Sequence, residues 1–384
     1  MNLLVINDYG ISGGGAENRL KLSLDELLKS KKFGKISLIE CDSNPEPSKH
    51  KKISIFNANR INIKKIVKEI IKEKDISLVQ FHNSVALGTD YLSLLKEQGI
   101  PFIFFAHDFW GFCAKRILIR EIGKEQCTQS SFSNCTRCIG FPTAIKMKMV
   151  KNLINFSTLG IAPSNFVKNL YEKNGVLRGK WKVVHPWIDL KLFSSKNKIR
   201  REKNLLFVGP PEEFKGAEIA LRAMKFIVKE FPKIKLNFVG PRMEEGSFYR
   251  KKFEKIAQED GVSDKIKFLG YLEQERLKKE YLKCGVCVFS SLCPETFGLV
   301  WAEASACGCA VIASKIGSIP ELSRGKIMLF EAGNPKDLAQ KAIELLSNEK
   351  KTKSFGKKAK EFAEKQFSPK EGANQLINLY EKII

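Results

Sequence analysis

Short apolar runs rich in Val, Ile and Phe alternate with longer stretches of helical apolar spacing, and the alternation begins twice along this chain. A parallel sheet, buried on both faces and reached by crossover helices, writes that pattern into sequence. In the first half the strand runs are Leu3 to Ile6, Ile36 to Ile39, Leu78 to Phe81, Pro101 to Phe105, Leu159 to Ala162 and Lys182 to His185. After a loop over Pro186 to Arg201 they are Asn204 to Val208, Leu236 to Val239, Ile266 to Leu269, Val286 to Ser290 and Ala310 to Ala313. Helical patterns from Pro335, Lys351 and Ser368 follow with no strand run between them.

The 384 residues exceed one ordinary domain of about 150. Together with the double alternation they predict an α/β protein of two Rossmann-like domains whose parallel sheets face one another across a cleft. The first is expected over 1–195, with a Cys-rich insertion at about 110–141, and the second over 196–367. In such sheets ligands bind beyond the carboxyl ends of the strands, so the chemistry should gather there.

Apolar residues at 43% and charged residues at 28% exclude global disorder and a fibrous architecture. No apolar run is long enough to span a bilayer, and the start MNLLVINDYG has no basic region ahead of an apolar one, so the expected location is cytoplasmic. A formal charge of +24 attracts anions: nucleotides, nucleic acid or an acidic lipid surface. Ten cysteines without a secretory signal argue for reduced thiols or metal ligands rather than a disulfide framework.

The most informative segment is SSLCPETFGLVWAEASACGCAVIASKIGSIPE, Ser290 to Glu321. A buried strand ends near Ser291, Pro294-Glu295-Thr296 form a loop, and a helix begins at about Phe297 or Gly298. Backbone N–H groups at such a start can bind a phosphate. Glu303 follows Glu295 by eight residues. Two carboxylates directed at one pocket suit hydrogen bonding to vicinal hydroxyls, and a nucleotide sugar offers two such sets; a loop carboxylate and a solvated one are the plainer alternative.

This stretch resembles the donor-binding signature of the retaining family 4 glycosyltransferases, which have the GT-B fold. The match comprises the pair Glu295 and Glu303, Phe297-Gly298-Leu299, Ala304, Ala306 and Gly308, the strand Ala310 to Ser314, and Gly317 with Pro320-Glu321. The resemblance implies that Glu295 contacts the transferred sugar, that Thr296 to Leu299 hold the diphosphate and that Glu303 holds the ribose. It also implies that residues 368–384 form a helix crossing back to the first domain.

Phe207-Val208-Gly209 followed by Lys215-Gly216 looks like the family's phosphate loop, with Lys215 the cation for the leaving diphosphate. The Arg usual after the first Gly is replaced by Pro210, and Arg242, after Phe238-Val239-Gly240-Pro241, is the candidate substitute. In the first half, Gly13-Gly14-Gly15-Ala16-Glu17 resembles the family's amino-terminal Gly loop, with Gly14 and Gly15 near phosphate and Glu17 toward the acceptor. His82-Asn83 and His107-Asp108 each end a strand. His107 matches the family's active-site His; His82, Asn83 and Asp108 are candidates on the acceptor side. The family implies front-face substitution, in which the departing phosphate oxygen takes the acceptor proton. The chain has no Asp-x-Asp motif, so metal-independent transfer is expected.

Cys113, Cys127, Cys135 and Cys138 fall in one polar stretch, the last two at chelate spacing. They suit a structural zinc, or else an iron–sulfur cluster, with free thiols or a disulfide as alternatives. Lys115, Arg116, Arg120, Lys146, Lys148 and Lys151, interleaved with Ile117, Leu118, Ile145, Met147 and Met149, could lie on anionic lipid.

The leading expectation is a hexosyltransferase that moves sugar from a UDP- or GDP-sugar to a glycan or lipid-linked acceptor in cell-surface polysaccharide synthesis, peripheral at the inner membrane face. The alternatives are a nucleic-acid-binding protein using the basic surface and a zinc knuckle, which leaves Glu295 and Glu303 without a role, and a UDP-sugar epimerase on the same fold.

Overall fold

The computed structural model describes residues 1–8, 15–41, 52–120, 126–127, 129–194 and 201–384, with backbone only for 15–19. The chain divides into two compact units. The first contains Met1–Arg120, Cys127–Trp187 and Pro369–Ile384; the second contains Ile188–Ser368. The boundary expected between 195 and 196 lies outside the described residues, and the division falls earlier, after Trp187.

The first unit is built on seven parallel strands: β1 (Leu3–Ile6), β2 (Ile36–Glu40), β3 (Ile53–Asn57), β4 (Leu78–Phe81), β5 (Phe102–Phe105), β6 (Leu159–Ala162) and β7 (Trp181–Val183). Their order across the sheet is β3-β2-β1-β4-β5-β6-β7. Every residue of β1, β2, β4 and β5 is buried, which is why β1 and β5 read as unbroken apolar runs and β2 and β4 as runs broken only by Ser37, Glu40 and Gln80.

Two differences from the sequence reading are local. β3 was not expected, because at the sheet edge only Ile53 of its five residues is buried and polar neighbours dilute the pattern. The last strand was expected at Lys182 to His185 but pairs from Trp181, opposite Gly160. The Trp181 ring covers Gly160 so closely that a Cβ there would lie 2.6 Å from it, and the indole Nε1 donates to Val176 O at 2.9 Å. That anchoring starts the strand a residue early.

The helix Pro369–Tyr380 packs in this unit. Its Leu376, Ile377 and Tyr380 join Leu3, Val5, Leu78 and Ile103 in one buried cluster. Gly372 lies flat against Trp187, where a Cβ would come within 2.0 Å of the ring.

The second unit has six parallel strands: β8 (Leu205–Val208), β9 (Leu236–Val239), β10 (Ile266–Phe268), β11 (Val286–Phe289), β12 (Ala310–Ser314) and β13 (Met328–Phe330). Their order is β10-β9-β8-β11-β12-β13. β13, three residues at an edge, was too short to stand out in sequence. Arg201 fastens the start of this unit, donating to Tyr281 O, Cys284 O and Cys307 O at 2.6–3.0 Å.

In each sheet the strand order reverses at one point, between β1 and β4 and between β8 and β11. Connections leave such a point in opposite directions, so the carboxyl ends of those two strands open onto a crevice.

Candidate active site

At the reversal in the second unit, β8 leads through a tight turn, Glu213–Lys215, into the helix Ala217–Glu230. Gly216, at φ +69°, makes the turn possible. A Cβ on it would lie 1.8 Å from Ser290 O, so the turn presses directly on the end of β11. Two bonds fix the contact: Ser290 Oγ donates to Gly216 O at 2.7 Å, and Leu292 N to Phe214 O at 2.8 Å.

This clamp brings together two groups eighty positions apart in sequence. Lys215 Nζ donates to Glu295 Oε1 at 2.7 Å, and Ser291 Oγ donates to the same oxygen at 2.8 Å. Burial works against the charge of Lys215, but the Glu295 carboxylate outweighs it, with Cys293 and Glu212 adding, and its pKa stands above the ordinary value. Lys215 therefore stays cationic at neutral pH. The Glu295 backbone is held as well: Ser318 N donates to Glu295 O at 2.9 Å, and Gly317, at φ +62°, sits where a Cβ would meet Glu295 N at 2.4 Å.

Gly298, at φ +79°, precedes the helix Leu299–Ala306, which starts one or two residues later than its sequence suggests. Phe297 and Trp301 are buried beneath that start. Glu303 is the one ionisable residue on this otherwise apolar helix. Glu303 is half-buried, its carboxyl accepts from Tyr281 Oη at 3.2 Å, and burial pushes its pKa from 4.5 up to about 8. No contact joins it to Lys215 or Glu295. Tyr281 and the anchor Arg201 were missed in sequence, where each looks like an ordinary helix or loop residue.

Arg242 follows β9 in left-handed backbone and pairs with Glu212, three residues before Lys215. It is thus tied to the loop that carries Lys215, near Pro210 and Gly209.

At the reversal in the first unit, Asp8 accepts from the amides of Val85, Ala86 and Leu87 at 2.7–3.0 Å and shapes the loop after β4. Sequence reasoning passed over it, as it did His185. His82, His107 and His185 line one cavity with Trp187 and Leu376. His82 Nδ1 and His107 Nε2 are 2.5 Å apart. Asn83 is buried, and its Oδ1 has no partner among the described residues. The Asp108 carboxylate is engaged by Arg116 Nε at 2.7 Å and by Trp110 N at 2.8 Å, and its backbone oxygen accepts from Tyr171 Oη. Gly14 lies outside the described residues, as does the side chain of Glu17; Gly15 is the first residue of the helix Gly15–Lys29.

Cys113, Cys127, Cys135 and Cys138 are free thiols lining one pocket. Burial raises the pKa of Cys113, while the amides of Leu118, Arg116 and Lys115 aim at its sulfur and oppose that rise. Arg116 and Leu118 hold left-handed backbone, at φ 67° and 54°, in making this turn. Among the described residues no group of three or more His, Cys, Asp or Glu is arranged to hold a metal ion as it stands.

Residues 190–362 match the family Glycosyl transferases group 1, and residues 43–192 match Glycosyltransferase Family 4. The chain is a group 1 glycosyltransferase of the GT-B fold. Among its relatives, an uncharacterised glycosyltransferase of Methanocaldococcus jannaschii is 26% identical over 95% of this chain and 94% of its own. Spore coat protein SA of Bacillus subtilis is 29% identical over 53% of this chain, which spans 59% of that protein's length. The crystal structure of Anabaena HepE in complex with UDP superposes with a TM-score of 0.75, at 18% identity and with 100% of each chain covered. HepE has also been solved with UDP-glucose. The Lys215–Glu295 pair thus lies at the strand ends of a glycosyltransferase domain.

Proposed function

We propose that this glycosyltransferase moves a hexose, with retention of configuration and without a catalytic metal, from a UDP- or GDP-sugar to a glycan or lipid-linked acceptor in cell-surface polysaccharide synthesis. The second unit binds the donor and the first the acceptor. The observation that carries this reading is the contact between Lys215 and Glu295 at the carboxyl ends of β8 and β11, beside the start of the helix Leu299–Ala306. A half-buried lysine neutralises charge on a departing diphosphate, and the helix start adds aligned N–H groups. Glu295 is left one oxygen for a sugar hydroxyl, Glu303 takes the ribose, and Arg242 supplies the second cation where Pro210 cannot. His107 serves the reaction from the first unit. The departing phosphate oxygen takes the acceptor proton, so no protein carboxylate need form a sugar ester.

The acceptor assignment draws support from an exposed apolar stripe on the helix Phe141–Ile154. Phe141, Ile145 and Met149 recur at every fourth position, are 57%, 38% and 61% exposed, and lie near exposed Phe132. Lys146 and Lys148 flank them, as on a helix lying in an anionic lipid surface. Leu118, grouped with this patch in sequence, is buried and takes no part. No helix among the described residues is long and apolar enough to cross a membrane.

The four cysteines hold a structural metal, zinc before an iron–sulfur cluster. Four thiols fit zinc in kind and number. Purified protein should carry one equivalent of zinc that Cys135→Ser releases; metal-free protein would end this assignment.

The deciding experiment is a donor screen that reads release of UDP or GDP with and without acceptor. Lys215→Ala or Glu295→Ala should abolish donor binding. An epimeric sugar nucleotide formed without acceptor would show a different reaction, and salt-dependent nucleic-acid binding untouched by either substitution would show a different class of protein.

A further inference from the structure

A chain of side chains runs from the helix Pro369–Tyr380 to His107 within the first unit. Tyr380 Oη donates to Gln80 Oε1 at 2.6 Å. Gln80 Nε2 lies 3.1 Å from His82 Nε2, and His82 Nδ1 lies 2.5 Å from His107 Nε2. Tyr380, Gln80 and His82 are all buried. The polarity of each link follows from the one before. A glutamine Nε2 only donates, so His82 Nε2 must accept. A neutral His82 then carries its proton on Nδ1 and donates it to His107 Nε2. His107 is left with its own proton on Nδ1.

We infer that Tyr380 and Gln80 are positioning residues that fix His107 in its Nδ1–H form through His82. This rests on the reading that His107 serves sugar transfer, since only then does its tautomer bear on turnover. The packing around the relay supports a fixed polarity: the His82 ring lies against Phe105, with centroids 4.7 Å apart, and is nearly coplanar with His107, whose centroid is 4.8 Å away and whose plane is 14° from parallel, so the two nitrogens meet edge to edge. The Tyr380 ring meets Phe33 edge-on, and burial raises the phenol pKa, so Oη keeps the proton it donates.

The substitution Gln80→Glu reverses the relay. A carboxylate accepts from both sides, so His82 must place its proton on Nε2, its Nδ1 becomes an acceptor, and His107 must donate from Nε2. Nitrogen NMR of ¹⁵N-histidine-labelled protein reads the tautomer directly. Wild type should show His107 protonated at Nδ1, and Gln80→Glu should exchange the two His107 ring-nitrogen shifts. Tyr380→Phe, which keeps the packing, should leave a mixture. Turnover should fall about tenfold or more in Gln80→Glu with KM for the donor little changed. Wild-type His107 protonated at Nε2, or shifts that ignore Gln80→Glu, would overturn the inference. Exchanged shifts with unchanged turnover would uphold the relay and remove the role of His107 in the reaction instead.

Discussion

Glu303 shows how one side chain can carry a pH signal. Its folded pKa of about 8 stands above the ordinary 4.5, so the native state holds a proton that the unfolded chain has released across that window. This contribution to stability is complete below 4.5 and is lost as pH rises toward 8, because above the folded pKa a half-buried carboxylate must bear charge. Glu303→Gln should therefore melt with wild type in mild acid and at a higher temperature at about pH 9, a difference of a few kcal/mol. If ribose hydroxyls donate to the carboxylate, wild-type donor affinity should rise with pH up to about 8 and then level, and Glu303→Gln should flatten the profile. Calorimetry at several pH values reads both. Lys215→Ala leaves Glu295 buried with only Ser291 beside it, and turnover should fall by about a hundredfold or more. A loss below tenfold in nucleotide release would place the leaving-group cation elsewhere.

At the level of elements, the clamp between the Glu213–Lys215 turn and the end of β11 depends on glycine. Gly317→Ala would force a Cβ against Glu295 N, now 2.4 Å from that position, in left-handed backbone. We expect a loss of about 1–3 kcal/mol in thermal unfolding, together with weaker donor binding. The same substitution at Gly333, with φ +80° but no close backbone neighbour, should lower stability and spare the donor. Replacing Phe141, Ile145 and Met149 by Ser should abolish sedimentation with anionic vesicles while leaving the melting temperature nearly unchanged; retained binding would remove the lipid-facing role of this helix.

Most of these elements were legible in sequence because buried parallel strands need nearly continuous apolar runs, as in LLVI of β1 and VCVF of β11. The edge strands β3 and β13 were not, because a strand covered on one side or only three residues long leaves no such run. In the candidate site, His107 could be named from its place at a strand end, and Lys215 and Glu295 from the resemblance of their segments to the family's phosphate loop and donor signature. Their partners could not: Ser291 is four residues from Glu295 and Gln80 two from His82, in loop and strand-end geometry that no periodic pattern records, while Tyr380 reaches Gln80 from 300 positions away.

For the whole molecule, charge and chain order carry the predictions. Removing residues 369–384 strips Leu376, Ile377 and Tyr380 from the cluster around β1 and β5, whereas the second unit keeps all of its own residues. Hydrogen exchange of the shortened chain should show the first unit losing protection while β8 to β13 keep theirs; equal loss in both would mean the two units unfold as one. The excess of +24 should make vesicle binding weaken steeply with salt, while donor binding at the half-buried Lys215 weakens less. The place of the helix Pro369–Tyr380 also sets an order of assembly. On the ribosome the second unit, drawn mostly from the one stretch Ile188–Ser368, is complete once Ser368 has been made. The first unit must wait with its apolar sheet partly bare until residues 369–384 emerge, so nascent chains stalled before that point are the form most in need of a chaperone.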